Sequence, residues 1–413
     1  MPSAFRRARP VLLGLLALAA AASILWGAYE ALGPEGSRDS QWSGAHVLLL
    51  GQDPSQIFVD CRTKGCDPNP FLLSQYPNYP ISGLMTLWPL AALPWDMAKT
   101  VWVFVNLFAT AAIFWCLPRL AVPKPGGVAL AIAFMIFLIS TPYRNHIVNG
   151  QQGLYTLALF ALAAVSASRG WKILAGLLLT LAWFKFTLTL PLSILFVARR
   201  DWIVLAVAVA AHLALTAFAA LWTHTDPIAL TFGFLRVARY AVNPGLGYID
   251  LFGLAAHLGL SAWIAGIAAA LLLAASVYLA MRIAAEDEFL LLSVLSFLAM
   301  TIFYHFTYDC VIFVFPFVLA AALIERGKLF AAEGLFAIPA LVAILMTWFV
   351  HRAVLGSAAV NALDQPRYRI FYWLLIVATY AALGGGLYRL WKTRVNFTWR
   401  PNLAASPGPR ATR

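Results

Sequence analysis

Apolar runs of about 20 residues recur along the whole sequence, and they constrain the fold more than any other feature. A helix that crosses the hydrocarbon core of a bilayer needs about 20 apolar residues. Hydrophobic residues make up 62% of the chain and charged residues 11%, whereas soluble domains carry roughly 25% charged residues. A soluble fold cannot bury this much apolar surface. The sequence therefore predicts an all-α polytopic membrane protein.

Hydropathy predicts a helical bundle of about 11–12 spans. The apolar segments are 11–32, 97–117, 126–141, 152–168, 171–198, 202–222, 252–281, 287–303, 309–325, 329–350 and 370–391. The first follows three arginines, as in a signal peptide, but its apolar run is too long for one. We therefore expect a permanent first span whose N-terminus lies in the cytoplasm.

The segment 171–198 differs from the others because Lys185 lies in its middle. Basic residues flank both of its ends, and Lys and Arg collect in cytoplasmic loops. This pattern favours two short helices that enter the membrane and return, with Lys185 near the apex. A single long helix with a buried lysine is the alternative.

The resulting topology predicts one transmembrane domain, 1–395, in the inner or plasma membrane of the cell. Both termini are expected in the cytoplasm. Its longest outer loop, 33–96, ends in an apolar stretch, Ile81–Trp95, that two prolines interrupt, so an interfacial helix is expected there. The tail 396–413 is expected to be disordered. Cys61 and Cys66 lie in the outer loop, where a disulfide can form.

The net charge of +12 does not require a nucleic-acid partner, because basic cytoplasmic loops alone make a membrane protein basic. The sequence has no glycine-rich phosphate loop and no His/Cys cluster with zinc spacing. A reaction driven by a cytoplasmic nucleotide is therefore not favoured. We expect no metal ion or other cofactor.

Unusual polar residues gather on the predicted outer side of the membrane. They are Asp39, Gln41, Asp53, Asp60, Asp67, Arg144, His146, Asn149, Gln151, Gln152, Lys185, Arg236, Arg239, Asn243, Asp250, His305, Asp309, Arg367 and Arg369. Ionisable groups at or inside a membrane are costly and are kept mostly where they have a function. Their one-sided distribution is typical of an interfacial active site.

Each of these residues also has a purely structural interpretation. Asp39 can cap the loop helix that follows it, and Asp53 can be a turn residue. His305 can be a polar anchor at the interface, although Asp309 lies four residues on and would share its helical face. Lys185 can extend to the outer headgroups.

Four stretches make the chain resemble glycosyltransferase family 87, membrane enzymes of the GT-C class. They are "RDSQWSGAHVLLLGQDP" (38–54), "LSQYPNYPISGLMTLWPLAALPWDMAKTVWVFVNL" (73–107), "NGQQGLYTL" (149–157) with "AGLLLTLAWFKFTLTLPL" (175–192), and "YHFTYD" (304–309). The resemblance covers about residues 10–390 and implies a GT-C-like bundle with an active-site loop at the outer leaflet. One departure is that Phe186 and Thr187 follow Lys185, where a proline is common in the family.

The resemblance implies inverting transfer of a sugar from a polyprenyl-phosphate donor to a lipid-linked or cell-envelope glycan, with Asp39 as general base and with mannose or arabinofuranose as the expected sugar. Asp53 and Asp60 are the next candidates for the general base if Asp39 does not fill that role. Lys185 and His305 would stabilise the phosphate leaving group, with Arg144, Arg236 and Arg239 as further candidates. We expect catalytic roles for Asp39 and His305 and substrate-binding roles for Gln41, Asp53, Arg144, Asn149, Gln151, Lys185, Arg236, Arg239, Tyr304 and Asp309.

A transporter or lipid flippase is the main alternative. Such proteins place polar groups near the middle of the membrane, often in two matching halves. Here the polar groups gather on one side and no halves match, although Lys185 fits a transporter better. A structural membrane scaffold is a second alternative, but it would not need ionisable residues gathered on one side of the membrane. The expected partners are the donor, the glycan acceptor and membrane lipid, with no nucleic acid.

Overall fold

The computed structural model describes residues 3–73, 75–241, 249–283, 287–330, 334–350 and 366–398. These residues form helices and no strand. The first ten helices are α1 (Ser3–Leu32), α2 (Trp42–Leu49), α3 (Pro54–Lys64), α4 (Ile81–Thr86), α5 (Trp88–Ala91), α6 (Trp95–Leu120), α7 (Gly127–Ile139), α8 (Thr141–Asn149), α9 (Gly153–Ser168) and α10 (Lys172–Ala182).

The second half of the chain is also helical. Its helices are α11 (Phe186–Leu192), α12 (Ile194–Ala198), α13 (Trp202–Thr223), α14 (Pro227–Ala241), α15 (Leu251–His257), α16 (Ala262–Ala280), α17 (Glu288–Ile302), α18 (Val314–Glu325), α19 (Gly334–Leu345) and α20 (Pro366–Thr398). Two 3₁₀ turns, Trp183–Lys185 and Thr307–Phe313, precede α11 and α18. A π-helical turn, Met346–Val350, follows α19.

Seven helical stretches among the described residues are long and apolar enough to cross a membrane. The number rises to eight if α7 and α8, which meet at a 54° bend, are one broken span. Three shorter apolar helices, α9, α17 and the α19 stretch, accompany them. The prediction of an all-α polytopic membrane protein is confirmed, although length and composition support fewer full spans than the 11–12 expected.

Polar contacts define two opposite ends of the bundle. At the first, which we call the Asp39 end, Ser37 N–H donates to Val148 O over 2.7 Å, and the Trp222 indole N–H donates to Leu48 O over 3.0 Å. At the second, the Arg199 end, the Arg199 guanidinium pairs with Glu288 at 2.7 Å. α9 runs from the first end to the second. Its first turn is near Asp39, and Ala164 O, in its fourth turn, accepts from Arg199.

The segment 171–198 reverses direction at Lys185, as its flanking basic residues predicted. Thr189 Oγ1 donates to Ala182 O over 2.8 Å, whereas positions seven residues apart in a straight helix are about 10 Å apart along its axis. Lys172 also forms an ion pair with Asp201, directly before α13. The segment is long enough to count as a span, but these contacts show two short arms that leave and return to the Arg199 end.

The predicted single interfacial helix of the 33–96 loop is instead a set of short helices. The stretch Ile81–Trp95 contains α4 and α5, which Leu87 separates. Trp42, at the start of α2, donates its indole N–H to Leu90 O and Leu93 O, both at 3.2 Å, and this ties the helices together. α14 lies across α3, where Arg236 donates to Gln56 Oε1 over 3.2 Å.

Three further expectations concern single segments. Cys61 and Cys66 form a disulfide at the end of α3. The predicted span 252–281 is divided, because the chain leaves α15 at Gly259 (φ +67°) and begins α16 only after Ser261. Of the predicted disordered tail, residues 396–398 are the last turn of α20, and 399–413 lie outside the described residues.

Candidate functional site

The backbone around Asp39 is fixed by the end of α8. Asp39 N–H donates to Asn149 O over 3.0 Å, and the Gln152 side-chain amide donates to Asp39 O over 3.2 Å. Gly150 ends α8 in the left-handed region (φ +66°), and a Cβ there would lie 3.0 Å from Ser37 Cα. A glycine at this position therefore allows the loop after α1 to approach α8 closely.

A continuous polar network runs inward from the Asp39 carboxylate. The Gln151 amide hydrogen-bonds to Asp39, and Gln151 Oε1 accepts from Lys185 Nζ over 2.8 Å. Lys185 Nζ lies 2.6 Å from Asp309 Oδ1, and His305 Nδ1 lies 2.9 Å from Asp309 Oδ2. The network thus joins five side chains from four separate parts of the chain.

The inner part of this network is shielded from solvent. The exposed fractions of Lys185, His305 and Asp309 are 2%, 2% and 4%. His305 Nε2 lies 3.2 Å from Ala299 O, so both ring nitrogens face acceptor oxygens. A buried charge needs a partner of opposite charge, and Asp309 supplies it for Lys185.

A cavity of about 210 Å³ opens in front of the network. Its lining residues are Asp39, Gln41, Tyr76, Asn78, Tyr79, Gln151, Phe306 and Tyr308. The walls are therefore mostly aromatic rings, hydroxyls and amides, and Asp39 is the one ionisable carboxylate among them. Gln41 Oε1 is buried without a hydrogen-bond partner among the described residues, so it is available to a ligand hydroxyl.

Burial shifts the ionisation of the Asp39 carboxyl. Its removal from water raises its pKa above the ordinary value. The hydrogen bond from Gln151 and the charges of Lys185 and Arg38 oppose this rise without cancelling it. Burial also raises the pKa of Tyr79, whose side chain hydrogen-bonds to Lys185. Asp39 is therefore a stronger base than a solvent-exposed aspartate.

The family model for glycosyltransferase family 87 matches residues 77–304, which is more than half of the chain. The chain belongs to glycosyltransferase family 87. This membership makes it a membrane glycosyltransferase. No curated protein matches the chain.

The matched region of this family 87 glycosyltransferase includes only part of the site. Tyr79, Gln151 and Lys185 lie inside it, whereas Asp39 precedes it and Asp309 follows it. The structure brings the outer two residues against the matched ones. The geometry therefore adds Asp39 and Asp309 to the site independently of the family match.

Seven of the residues singled out in the sequence meet at this site. They are Asp39, Gln41, Gln151, Gln152, Lys185, His305 and Asp309. Lys185 and His305 lie behind the cavity wall and do not line it. Asn149 contributes its backbone carbonyl. Asp39 does not cap α2, because Gln41 occupies that N-cap position.

Asp53, Arg236 and Arg239 lie elsewhere, whereas the His146 ring packs edge-on against Tyr308 of the cavity wall, with the ring centroids 6.4 Å apart. Asn243 lies outside the described residues, as do the side chains of Arg367 and Arg369. Asp53 caps α3, where its carboxylate accepts from Ser55 N–H and Gln56 N–H at 2.9 and 3.2 Å. Its contacts are therefore structural, as a helix cap and not as the plain turn residue expected. Arg236 and Arg239 are exposed on α14 and do not line the cavity.

Arg144 and Tyr304 also lie off the cavity wall. Arg144 is half-buried on α8, beside Gly27 of α1. The Tyr304 ring lies 5.1 Å from the Phe306 ring, which does line the cavity.

Five aromatic or amide residues of the cavity were not singled out. Tyr76, Asn78 and Tyr79 come from the "YPNYP" stretch, and Phe306 and Tyr308 lie within "YHFTYD". Polar side chains between closely spaced prolines were the available signal, because prolines hold such a stretch in a loop. In the described part of the chain, no group of three His, Cys, Asp or Glu residues could hold a metal ion; a metal-free reaction stays a prediction.

Proposed function

We propose that this glycosyltransferase moves a sugar from a polyprenyl-phosphate donor to a hydroxyl of a lipid-linked or cell-envelope glycan, with Asp39 as general base. One observation supports this most: the Asp39 carboxylate, with its raised pKa, lines a cavity of neutral hydrogen-bonding and aromatic side chains. Such walls suit a sugar, whose hydroxyls need hydrogen-bond partners and whose C–H faces pack on aromatic rings.

In the proposed reaction the Asp39 carboxylate takes the proton from the acceptor hydroxyl. The acceptor oxygen forms a bond to the anomeric carbon of the donor. The bond from that carbon to the phosphate oxygen breaks, and polyprenyl phosphate leaves with the electron pair. Attack opposite the leaving group inverts the anomeric configuration. General base catalysis contributes roughly 10²–10⁴-fold to the rate.

The positions of Lys185 and His305 change their proposed roles. Lys185 is neutralised by Asp309 and lies behind Gln151 and Tyr79. We therefore propose that it orients Gln151, and through it Asp39, and does not touch the leaving phosphate. His305 contacts the other carboxylate oxygen of Asp309, the ion-pair partner of Lys185, so it too lies away from the leaving phosphate.

Cationic help for the leaving phosphate would come from the edge of the cavity. Arg62 donates to the Tyr76 hydroxyl over 3.4 Å and stands 5.7 Å from the Tyr76 ring. Arg38 adjoins Asp39 in the chain and is exposed. Arginine pairs well with phosphate, so these two residues are our candidates in place of Arg236 and Arg239.

We further propose that the Asp39 end faces away from the cytoplasm. The Cys61–Cys66 disulfide at this end supports the orientation, because disulfides form and persist in oxidising compartments. The positive-inside pattern supports it as well.

The decisive experiment incubates membranes containing the protein with radiolabelled polyprenyl-phosphate sugars, mannosyl and arabinofuranosyl donors first, and identifies the product. Asp39→Asn keeps the size of the side chain but removes the base. We expect this variant to accumulate normally and to lose transfer by about 10²–10⁴-fold.

Asp53→Asn is the matched control. Asparagine caps a helix about as well as aspartate, so this variant should keep both its level and its activity. If Asp39→Asn retained full transfer, Asp39 would not be the base. Asp60 would then be a poor replacement, because its hydrogen bonds to Lys64 and Gln56 lower its pKa.

A further inference from the structure

A second cavity, larger than the one at Asp39, opens at the Arg199 end of the bundle. Its volume is about 550 Å³. It lies where the loop between α6 and α7 meets the first turn of α17, the end of α18, α19 and the end of α20. No residue of this cavity belongs to the Asp39 site.

The rim of this cavity is strongly basic. Lys124, Arg326, Lys328 and Arg389 line it, with Asp287 as the one acidic residue in its lining. Among the described residues, no carboxylate lies within ion-pair distance of Lys124 or Lys328. Arg326 donates to Lys124 O over 3.3 Å, so these two residues are held side by side. The rim therefore carries an excess of positive charge.

The floor of the same cavity is apolar. Leu319, Leu323 and Phe336 line it, although they are only 4%, 4% and 1% exposed. Leu290 continues this surface along α17. A basic rim above an apolar floor complements an amphiphile with an anionic head and a hydrocarbon tail. A free inorganic ion would use the rim and leave the floor empty.

We propose that this cavity binds an anionic phospholipid, with its phosphate at Lys124, Arg326 and Lys328 and the start of an acyl chain on Leu319, Leu323 and Phe336. The volume lies within the roughly 300–1,000 Å³ of ordinary ligand sites. Basic pockets between membrane helices bind the heads of anionic lipids. The lipid would join the loop before α7 to the ends of α18 and α19, and so stabilise the Arg199 end.

The test is a titration of the purified full-length protein in a neutral detergent. The ligands are phosphatidylglycerol, phosphatidylcholine and inorganic phosphate, and the readouts are the melting temperature and lipid retained in native mass spectra. We expect phosphatidylglycerol alone to raise the melting temperature at low concentration. The variant Lys124→Gln/Arg326→Gln/Lys328→Gln should bind it about 100-fold more weakly, since each basic residue contributes a factor of roughly five.

The matched control removes the same number of positive charges at the same end. It replaces three exposed arginines, in Arg119→Gln/Arg169→Gln/Arg282→Gln. These side chains stand over Trp115, Trp171 and Tyr278 and do not line the cavity. The control should bind phosphatidylglycerol within about threefold of the parent protein.

A second variant tests occupation of the floor independently of charge. Leu323→Trp fills the cavity and should weaken lipid binding while the basic rim is intact. Equal losses of phosphatidylglycerol binding in the two triple variants would mean that the lipid is attracted by the basic charge of this end as a whole. That result would overturn the proposal. An equal response to phosphatidylcholine, or to inorganic phosphate, would also overturn it, in favour of general solvation or a small-ion site.

Discussion

The Asp39 carboxylate owes its basicity to partial burial, and Gln151 limits the effect. The hydrogen bond from Gln151 lowers the pKa of Asp39 against the larger rise that burial causes. If Asp39 is the base, it must be ionised, so kcat/KM falls as the pH falls through its pKa. Gln151→Met removes the hydrogen bond at similar volume. We expect the acid limb of the kcat/KM profile to move to higher pH.

The pH profile separates this effect from simple damage to the site. Gln56→Met, on the exposed face of α3, removes a glutamine that does not line the cavity and should leave the limb in place. A lower kcat/KM with an unmoved limb in Gln151→Met would show that Gln151 does not act through the ionisation of Asp39.

The buried Lys185–Asp309 pair at 2.6 Å makes a separate prediction about stability. Asp309→Asn leaves Lys185 enclosed without its counter-charge, and breaking a buried pair in this way costs about 3–5 kcal/mol. We expect a clearly lower melting temperature in detergent, read from tryptophan fluorescence.

The double variant Lys185→Met/Asp309→Leu tests whether the pair has a function beyond the fold. Replacing both partners of a buried pair by apolar residues is often neutral for stability. Its melting temperature should therefore recover towards that of the parent protein, while sugar transfer stays low because Gln151 loses its partner. Recovery of transfer together with stability would reduce the pair to a structural role.

Sequence reasoning identified these charged residues but not their arrangement. Topology alone placed Asp39, Lys185, His305 and Asp309 on one side of the membrane. It could not show that Asp309, 124 positions beyond Lys185, neutralises it, because that pairing depends on how α11, α17 and the Thr307–Phe313 turn pack. The same limit explains why Lys185 and His305 were expected at the phosphate.

At the level of elements, the returning arms of 172–198 depend on one close approach. A Cβ at Gly83 of α4 would lie 2.9 Å from Phe184 Cα, next to Lys185. Contacts this short do not occur, so Gly83→Ala must push α4 away from the apex. Such overpacking costs about 1–3 kcal/mol, and we expect a lower melting temperature and weaker transfer.

Gly266→Ala in α16 is the control for that substitution. No atom lies within 4 Å of a Cβ at Gly266, so the alanine should leave transfer unchanged and not lower the melting temperature. If the two variants behaved alike, the approach of α4 to the apex would not matter for the site.

The reversal of 171–198 at Lys185 was predicted from the sequence, whereas the division of 252–281 was not. The difference lies in the strength of the two sequence signals. Basic residues at both ends of 171–198 are a strong topological signal, because charged loops stay on one side. The break between α15 and α16 needs only "GLS", a glycine with positive φ and a serine whose hydroxyl accepts from Trp263 N–H. A hydropathy value averaged over the length of a span does not resolve so short a break.

For the whole molecule, the two ends differ in chemistry. The Asp39 end holds a carboxylate in a neutral cavity and a disulfide. The Arg199 end holds a basic cavity over an apolar floor. The reaction proposed above, with its lipid-linked donor, would need the first end at a membrane surface where acceptor glycans are found. The second end, under the positive-inside rule, would then meet the cytoplasmic leaflet.

The native cysteines test this orientation without altering the site. Cys116 and Cys310 are free and buried, so they should resist reagents in the folded protein. Cys61 and Cys66 are joined by the disulfide at the end of α3. In intact cells, a membrane-impermeant reductant followed by an impermeant maleimide should label these two if the Asp39 end faces outward, as we propose. Without the reductant, labelling should be absent.

Lys328→Cys reports on the opposite end, since Lys328 is exposed there. We expect this cysteine to react only after the cells are permeabilised, while Cys61 and Cys66 react in both conditions once reduced. Mass spectrometry of the labelled peptides distinguishes the sites. The reverse pattern, with Lys328→Cys labelled from outside and the disulfide protected, would reverse the proposed orientation in the membrane. The cavity at Asp39 would then face the cytoplasm, where an extracytoplasmic glycan cannot reach it.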